Sequence, residues 1–287
     1  MTENDILKVS GETFLRLPVV DTSLALHIVK IEKCEQVKAK LLKLYSPETE
    51  VTADGKKSTV GALSKFNEVS LSAQPDFDKG RYNAADCVRV IEMLTKEDGG
   101  CPWDKAQTHE SIRINMIEEA YEAVDAIDKR DIPNMREEFG DVFLQALLHS
   151  DISRRAGEFD FDDVCDELSK KLIDRHSWIF AGDSATTADE ALTVWEKNKG
   201  VEKHYDTVKN QLERLPDSFP SLLYAQKTYK KMKKGGIAVD AQAELKKALD
   251  AHDYTAAIDA CVMLLADEGK DGEVELNTRI KNKIKSL

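Results

Sequence analysis

Cysteine is scarce and scattered. Cys34, Cys87, Cys101, Cys165 and Cys261 are five in number, and no two form a C-x-x-C pair. That argues against a zinc knuckle or a dithiol redox motif, and an odd set of this kind suits reduced thiols in cytosol. Long apolar runs are missing too: none approaches the roughly 18–20 residues that a membrane span needs. The opening stretch MTENDILKVS lacks the basic and apolar blocks of a signal peptide. The expectation is a cytoplasmic chain with no membrane partner. Positive charge is outweighed, with 41 Lys and Arg against 53 Asp and Glu, a net charge of −12. A field of that sign repels a nucleic-acid backbone, so a generic DNA or RNA binder is disfavoured.

What the chain has in abundance is charge and helix-forming pattern. Its 287 residues suffice for one to three domains with a buried core. Hydrophobic residues make up 41% and charged residues 33%, a balance typical of helical proteins with solvated faces. Residues 1–82 differ from the rest. Ala25–Ile31 and Glu50–Ala53 read as strands, with a helix near Glu35–Leu44 between them and a turn at Gly55-Lys-Lys. This is a small α/β piece. Leu71–Tyr82, with Pro75 and Gly80, lacks periodicity and reads as a linker.

From Asn83 the pattern is helical. One apolar face, with Val88, Ile91, Met93 and Leu94, stops near Gly99-Gly100. Ser111–Asp128 is a strong helix with Ile112, Met116, Tyr121, Val124 and Ile127 on one broad face. Pro133 fits the first turn of the next helix, which runs to about Arg155. A third helix carries Val164, Leu168, Leu172 and Ile173, and a short one holds Leu192, Val194 and Trp195. Residues 201–217 read as a polar linker, and 218–287 as a further helical region.

The informative acids lie on two of these helices. In Glu118-Glu119-Ala-Tyr-Glu122, Glu122 shares a face with Glu118 and Glu119, and in Glu138-Phe-Gly-Asp141 the two acids are again three apart. Like charges so placed repel, and a divalent cation between the helices relieves that repulsion, because carboxylates are the hard oxygen ligands that Mg²⁺ and Mn²⁺ prefer. Tyr121, Val124, Phe139, Val142 and Phe143 are interleaved with the acids, which therefore border an apolar face. Gly140 is expected to let two helix backbones approach closely. The plainer alternative is a solvated acidic face in an acid-rich chain.

The motifs are similar to those of a known family. Gly99-Gly-Cys-Pro-Trp-Asp-Lys-Ala-Gln-Thr-His-Glu-Ser111, then Glu118-Glu119-x-x-Glu122, then Glu138-x-x-Asp141, then Lys171-Leu-Ile-Asp-Arg-His176 closely resemble the MazG family of nucleoside triphosphate pyrophosphohydrolases, over about residues 83–200. The resemblance implies a mainly α fold: a MazG-like helical module that dimerises, here with a small N-terminal α/β remnant and a degenerate C-terminal helical module. It implies Mg²⁺-dependent cleavage of a nucleoside triphosphate to a monophosphate and pyrophosphate, with Mn²⁺ as an alternative ion and non-standard nucleotides among the substrates. By position, Glu119, Glu122, Glu138 and Asp141 resemble the metal ligands, and Glu118 a further ligand or water-orienting group. Lys171 and Arg175 resemble phosphate contacts, and Trp195 and Lys199 a base-stacking and phosphate segment; Trp103 is a further substrate candidate or else a core anchor. His109 and His176 read as structural, since the chemistry requires no imidazole.

The flanks resemble family material less closely. Residues 13–82, including Phe14-Leu-Arg-Leu-Pro, are similar to the tail of a tetrapyrrole methylase domain fused ahead of some MazG modules, without the glycine-rich part that would hold S-adenosylmethionine. Ser218–Lys227 resembles the start of a second MazG module, and Ile258–Leu265 echoes its second acidic helix. Asp259 there lacks an acid three residues earlier, and Lys246 and Lys247 stand where acids are expected, while Leu245, Leu249, Ile258, Val262 and Leu265 are expected to pack. A rival reading of the whole chain is a non-catalytic nucleotide- or metal-binding module that serves dimerisation or regulation.

Overall fold

The computed structural model describes residues 6–18, 20–22, 24–74, 77, 81–203 and 207–287. Among them lie fourteen helices and five strands, so the fold is mainly α. No helix there is long and apolar enough to cross a membrane. The chain forms two compact units, Met1–Leu168 and Ser169–Leu287.

The first unit opens with the α/β piece. Its elements are β1 (Ile6–Ser10), α1 (Gly11–Arg16), β2 (Ala25–Val29), α2 (Cys34–Leu44), β3 (Glu50–Ala53), β4 (Lys56–Thr59) and β5 (Val69–Leu71). The strands form one sheet in the order β1-β2-β5-β3-β4. β1 and β2 pair in parallel, and the remaining pairs are antiparallel. Phe14, Ile28, Val37, Leu41 and Val69 are fully buried against it. The Lys40 ammonium donates to the Phe14 carbonyl at 2.7 Å and to that of Leu17, capping α1. Leu71, placed in a linker by its sequence, closes a strand; Pro75 and Gly80 lie outside the described residues.

α3 (Ala84–Thr95) starts at an Asn83 capping box, and α4 (Pro102–Lys105) at Pro102. α5 (His109–Lys129) starts at a Thr108 capping box, where the side chain satisfies an amide that the first helical turn leaves unpaired. α5 ends at Arg130 in the left-handed region, φ 54°. Asp131 then caps α6 (Ile132–Ala156), accepting from the Asn134 amide at 3.2 Å, and Pro133 fills the first turn as expected. A two-residue turn thus folds α5 onto α6 as a hairpin. Ile91, Ile112, Leu147 and Leu148 form its buried core, and Phe143 meets Phe161 edge-on at 5.6 Å. Truncating Ile112 to Ala at such a site costs about 2–5 kcal/mol.

The broad apolar face of α5 is only partly covered within the chain: Ile112 is buried, but Tyr121 is 61% and Val124 50% exposed, and Met116 and Ile127 are exposed as well. One expectation fails here: Gly140 makes no close approach within the chain, because a Cβ added there would meet nothing within 4 Å.

α7 (Phe161–Arg175) leads into the second unit, which holds α8 (Ser177–Phe180), α9 (Ala188–Glu202), α10 (Val208–Glu213), α11 (Ser221–Lys234), α12 (Ala241–Asp250), α13 (Tyr254–Asp267) and α14 (Gly272–Lys285). The helix around Trp195 is longer than its apolar pattern suggests, because a Thr187 capping box starts it early. The stretch read as a spacer carries α10, capped by Thr207. In the C-terminal region Val262 is buried, but Leu249 and Ile258 are exposed, contrary to expectation. The small residues Ala241, Ala248, Ala257 and Ala260 are buried there with Val262. The Tyr229 hydroxyl donates to Asp267 at 2.8 Å, and Gln226 bridges the Lys270 carbonyl and the Gly272 amide.

Candidate active site

The α5–α6 hairpin puts the acids on facing helix surfaces. One carboxylate oxygen each from Glu119, Glu122 and Glu138 lies within 4.8 Å of the other two. Glu138 is buried, Glu119 and Asp141 are half-buried, and Glu118 and Glu122 are exposed. None of the five forms an ion pair among the described residues. Their uncompensated charge shows in titration. Burial, then Asp141, Glu122, Glu138 and Glu118, push the Glu119 carboxyl above its ordinary value. Burial, then Glu122, Asp141 and Glu137, push Glu138 up, with the Asn134 side chain opposing. Asp141 therefore borders the cluster electrostatically without belonging to the tight trio.

The donor set fits a small divalent cation. At about 2.1 Å from each oxygen, octahedral Mg²⁺ holds neighbouring ligand oxygens about 3.0 Å apart. The trio, within 4.8 Å, would close by up to about 1.8 Å through rotation of the glutamate side chains.

The loop ahead of α5 is fixed by its glycines. Gly99 adopts φ +79°, and a Cβ on Gly100 would lie 2.3 Å from the Lys96 carbonyl oxygen. The loop folds back on α3 through a 2.6 Å bond from the Cys101 amide to the Leu94 carbonyl. Trp103 is then 58% exposed, so it is no core anchor in this chain.

Sequence reasoning missed the histidine stack that ties α5 to α6. The rings of His109 and His149 are parallel to within 2° at 5.0 Å, with 2.7 Å between their Nδ1 atoms. The Ser153 hydroxyl donates to Glu158 at 3.1 Å, so His109 Nε2, 3.2 Å away, is the donor to Ser153. His109 Nδ1 then accepts from His149, which leaves His149 Nε2 as a buried acceptor without a partner. Burial and His109 hold His149 below its usual range, in the neutral form. The spacing of 40 residues between the two histidines carries no local signal that could have revealed the pair.

Three further site candidates meet within the second unit. The Arg175 guanidinium lies 5.1 Å and the Lys199 ammonium 4.9 Å from the Trp195 ring centre. Arg175 is buried and held by Glu202, Nε to Oε2 at 2.7 Å and Nη2 to Oε1 at 3.0 Å. Arg175 is the first cause that lowers the Glu202 carboxyl, to about 2, with Lys203 adding to the effect. No local pattern points to Glu202, because it lies on another helix, 27 residues from Arg175. Lys171 is exposed on α7 and pairs with neither Glu167 nor Asp174.

The family model described as the MazG nucleotide pyrophosphohydrolase domain matches residues 107–180. The uncharacterized 26.1 kDa protein in the blaB 3' region of Streptomyces cacaoi is 34% identical over 194 residues, which cover 66% of this chain and 79% of that one. The chain belongs to the MazG family. The nucleoside triphosphate pyrophosphohydrolase of Escherichia coli (strain K12) is 37% identical over 142 residues, 50% of this chain and 54% of that protein. The nucleoside triphosphate pyrophosphohydrolase/pyrophosphatase MazG of Thermotoga maritima is 43% identical over 116 residues, 40% of this chain and 44% of that one. This chain thus spans about half the length of those two relatives. The matched MazG segment contains the acid cluster, Lys171 and Arg175, and ends before Trp195 and Lys199.

Proposed function

We propose that this MazG chain is a divalent-cation-dependent nucleoside triphosphate pyrophosphohydrolase that releases a monophosphate and pyrophosphate. The observation that carries the reading is the convergence of Glu119, Glu122 and Glu138 within 4.8 Å, on two helices inside the family segment. These three carboxylates hold the cation, Mg²⁺ or Mn²⁺, with Asp141 completing the set. Bound there, the cation neutralises phosphate charge, polarises the phosphoryl group and acidifies water.

The chain's own residues do the rest. Glu118, exposed beside the trio, orients the attacking water through its carboxylate. Water adds to phosphorus, a phosphoanhydride bond breaks, and pyrophosphate leaves with the electron pair. Lys171, Arg175 and Lys199 stabilise that departing charge. Trp195, and Trp103 from its exposed loop, offer flat faces on which any base stacks, so base preference is weak. Arg175 reaches phosphate only by sharing its guanidinium with Glu202, which makes it the least available of the three cations.

A homodimer belongs to the same proposal. Tyr121, Val124, Phe139 and Val142 are exposed around the acids. Exposed apolar side chains clustered in this way mark an interface, and a second MazG module is its occupant.

The test is pyrophosphate release from standard and modified nucleoside triphosphates, with Mg²⁺, with Mn²⁺ and with EDTA. Metal-dependent release that is lost in Glu122→Gln is the expected result. Nucleotide binding without any release would establish the non-catalytic reading instead.

A further inference from the structure

The second unit holds a basic groove of which the hydrolase reading uses Lys199 alone. It lies between α9, α10 and α11 and encloses 730 Å³. α11 lines it with Lys227, Lys230, Lys231 and Lys234, a stripe at i, i+3, i+4 and i+7. Lys197 and Lys199 of α9 and Arg214 after α10 complete a set of seven cations. Glu196 is the one carboxylate among the lining residues, and Lys234 takes it at 2.9 Å.

This concentration is unusual in a chain of net charge −12. Like charges at i,i+3 and i,i+4 destabilise a helix, so α11 carries several unfavourable pairs on one face. The helix dipole favours cations in the last turn and accounts for part of the pattern, since Lys231, Lys233 and Lys234 lie there. It does not account for Lys227 and Lys230, which precede that turn and form no ion pair among the described residues. Lys233, which does not line the groove, is neutralised by Asp267 at 2.5 Å. Burial, then Lys199, Lys227 and Lys234, hold the Lys231 ammonium below its ordinary range, with Glu196 opposing. Bringing an anion into the groove would relieve all of these strains at once.

We propose that the α9–α10–α11 groove binds a compact oligophosphate, a chain of two or three phosphates that is either free or carried by a nucleotide. Its volume falls within the range of about 300–1,000 Å³ typical of small-ligand pockets. The negative field of the whole chain disfavours a long nucleic-acid backbone running beyond the groove. Phe219, Leu215 and Pro216 form an apolar part of the lining, against which a base can rest. The proposal does not depend on the hydrolase reading, because lysines bind phosphate without a metal, whereas the acid cluster repels phosphate unless a cation is present.

The experiment is calorimetric titration of the full chain with inorganic tripolyphosphate in EDTA, repeated with a nucleoside triphosphate. Saturable binding is expected, and the exposed-site double variant Lys227→Gln/Lys230→Gln should weaken it about tenfold or more. Lys233→Gln should leave it unchanged. Tighter binding of the nucleotide than of tripolyphosphate identifies a nucleotide-borne ligand, and equal binding a free oligophosphate. No saturable binding of either, or binding that the double variant does not alter, overturns the proposal. So does a hairpin RNA or duplex DNA that binds through these lysines and resists displacement by tripolyphosphate. The two readings separate cleanly: Glu119→Gln/Glu122→Gln should keep metal-free binding, and Lys227→Gln/Lys230→Gln should keep metal-dependent turnover.

Discussion

The hairpins α5–α6 and α12–α13 turn in the same way and differ in what they carry. In each, one residue in the left-handed region, Arg130 at φ 54° or His252 at φ 56°, precedes a capping aspartate, Asp131 or Asp253. Each aspartate accepts from the amide three residues on. Counting from those aspartates aligns the helices. Glu122 then corresponds to Glu244, but Glu119 corresponds to Ala241, Glu138 to Ala260 and Asp141 to Met263. Ala241 and Ala260 are buried, as Glu138 is. Both hairpins close at these positions. The first places carboxylates there and the second places methyl groups. Packing and chemistry are thus separable properties of one backbone motif, and the chemistry sits in a few side chains.

The largest effect should come from removing one of the trio. Glu122→Gln or Glu138→Gln should lower kcat about a hundredfold or more, because losing a ligand misplaces both cation and water. Asp141→Asn, outside the trio, should cost less. In steady-state assays the triple variant at Glu119, Glu122 and Asp141 should have no turnover left; activity that survives it would mean that the second hairpin, or another site, does the chemistry.

Next in size is the interface. Val124→Glu on α5 puts an unpaired charge into the proposed dimer contact and should weaken association about a hundredfold, since an unpaired buried charge costs several kcal/mol. Leu249→Glu, at an exposed position of the other hairpin, should leave association unchanged. Sedimentation equilibrium compares the two. Equal behaviour of both variants would remove the distinction between the hairpins' apolar faces.

The third prediction concerns stability. Glu119 and Glu138 titrate above the usual 4.5 in the folded chain. A raised folded value means that their contribution is fully favourable below the unfolded value and is lost as pH rises through the folded one. Without metal, Glu119→Gln should therefore melt higher than wild type at neutral pH, and the difference should vanish towards pH 4. A saturating divalent cation should reverse the order, since binding at about 100 times Kd adds about 2.7 kcal/mol. The converse change, Ala260→Glu, inserts a lone acid at the matching buried position and should destabilise by about 1–3 kcal/mol with or without metal.

Much of this was legible in the sequence because it rests on local rules. Caps, the Pro133 turn, the strands at Ala25 and Glu50 and the spacing of the acids all depend on residues a few positions apart. What escaped notice depends on distant partners: the His109–His149 stack, the Glu202 clasp on Arg175, and the basic groove assembled from three helices. The second hairpin was read out of register. Asp259, sought with an acid three residues earlier, stood as the counterpart of Asp141, whereas the turn aligns it with Glu137 and puts Ala260 opposite Glu138. The apolar stripe of α5 was read rightly as a stripe, but periodicity does not say whether the chain itself or a second copy covers it.

Gly140 tests that last ambiguity with the smallest change. It lies in the interior of α6, where glycine is less favourable than alanine by about 1 kcal/mol. A methyl group there would meet nothing within 4 Å, so the chain itself offers no steric reason for glycine. It stands between Glu138 and Asp141, beside the exposed Phe139. If no partner comes near, Gly140→Ala gains the propensity term alone. Calorimetry should then show a melting temperature raised by about 2–4 °C, with association unchanged by sedimentation. That is the outcome expected from the open space around Gly140. A variant that is stabilised as a monomer but weakened as a dimer would put the backbone of a second copy against Gly140, with the close helix approach made between chains and the acid cluster at the edge of that contact.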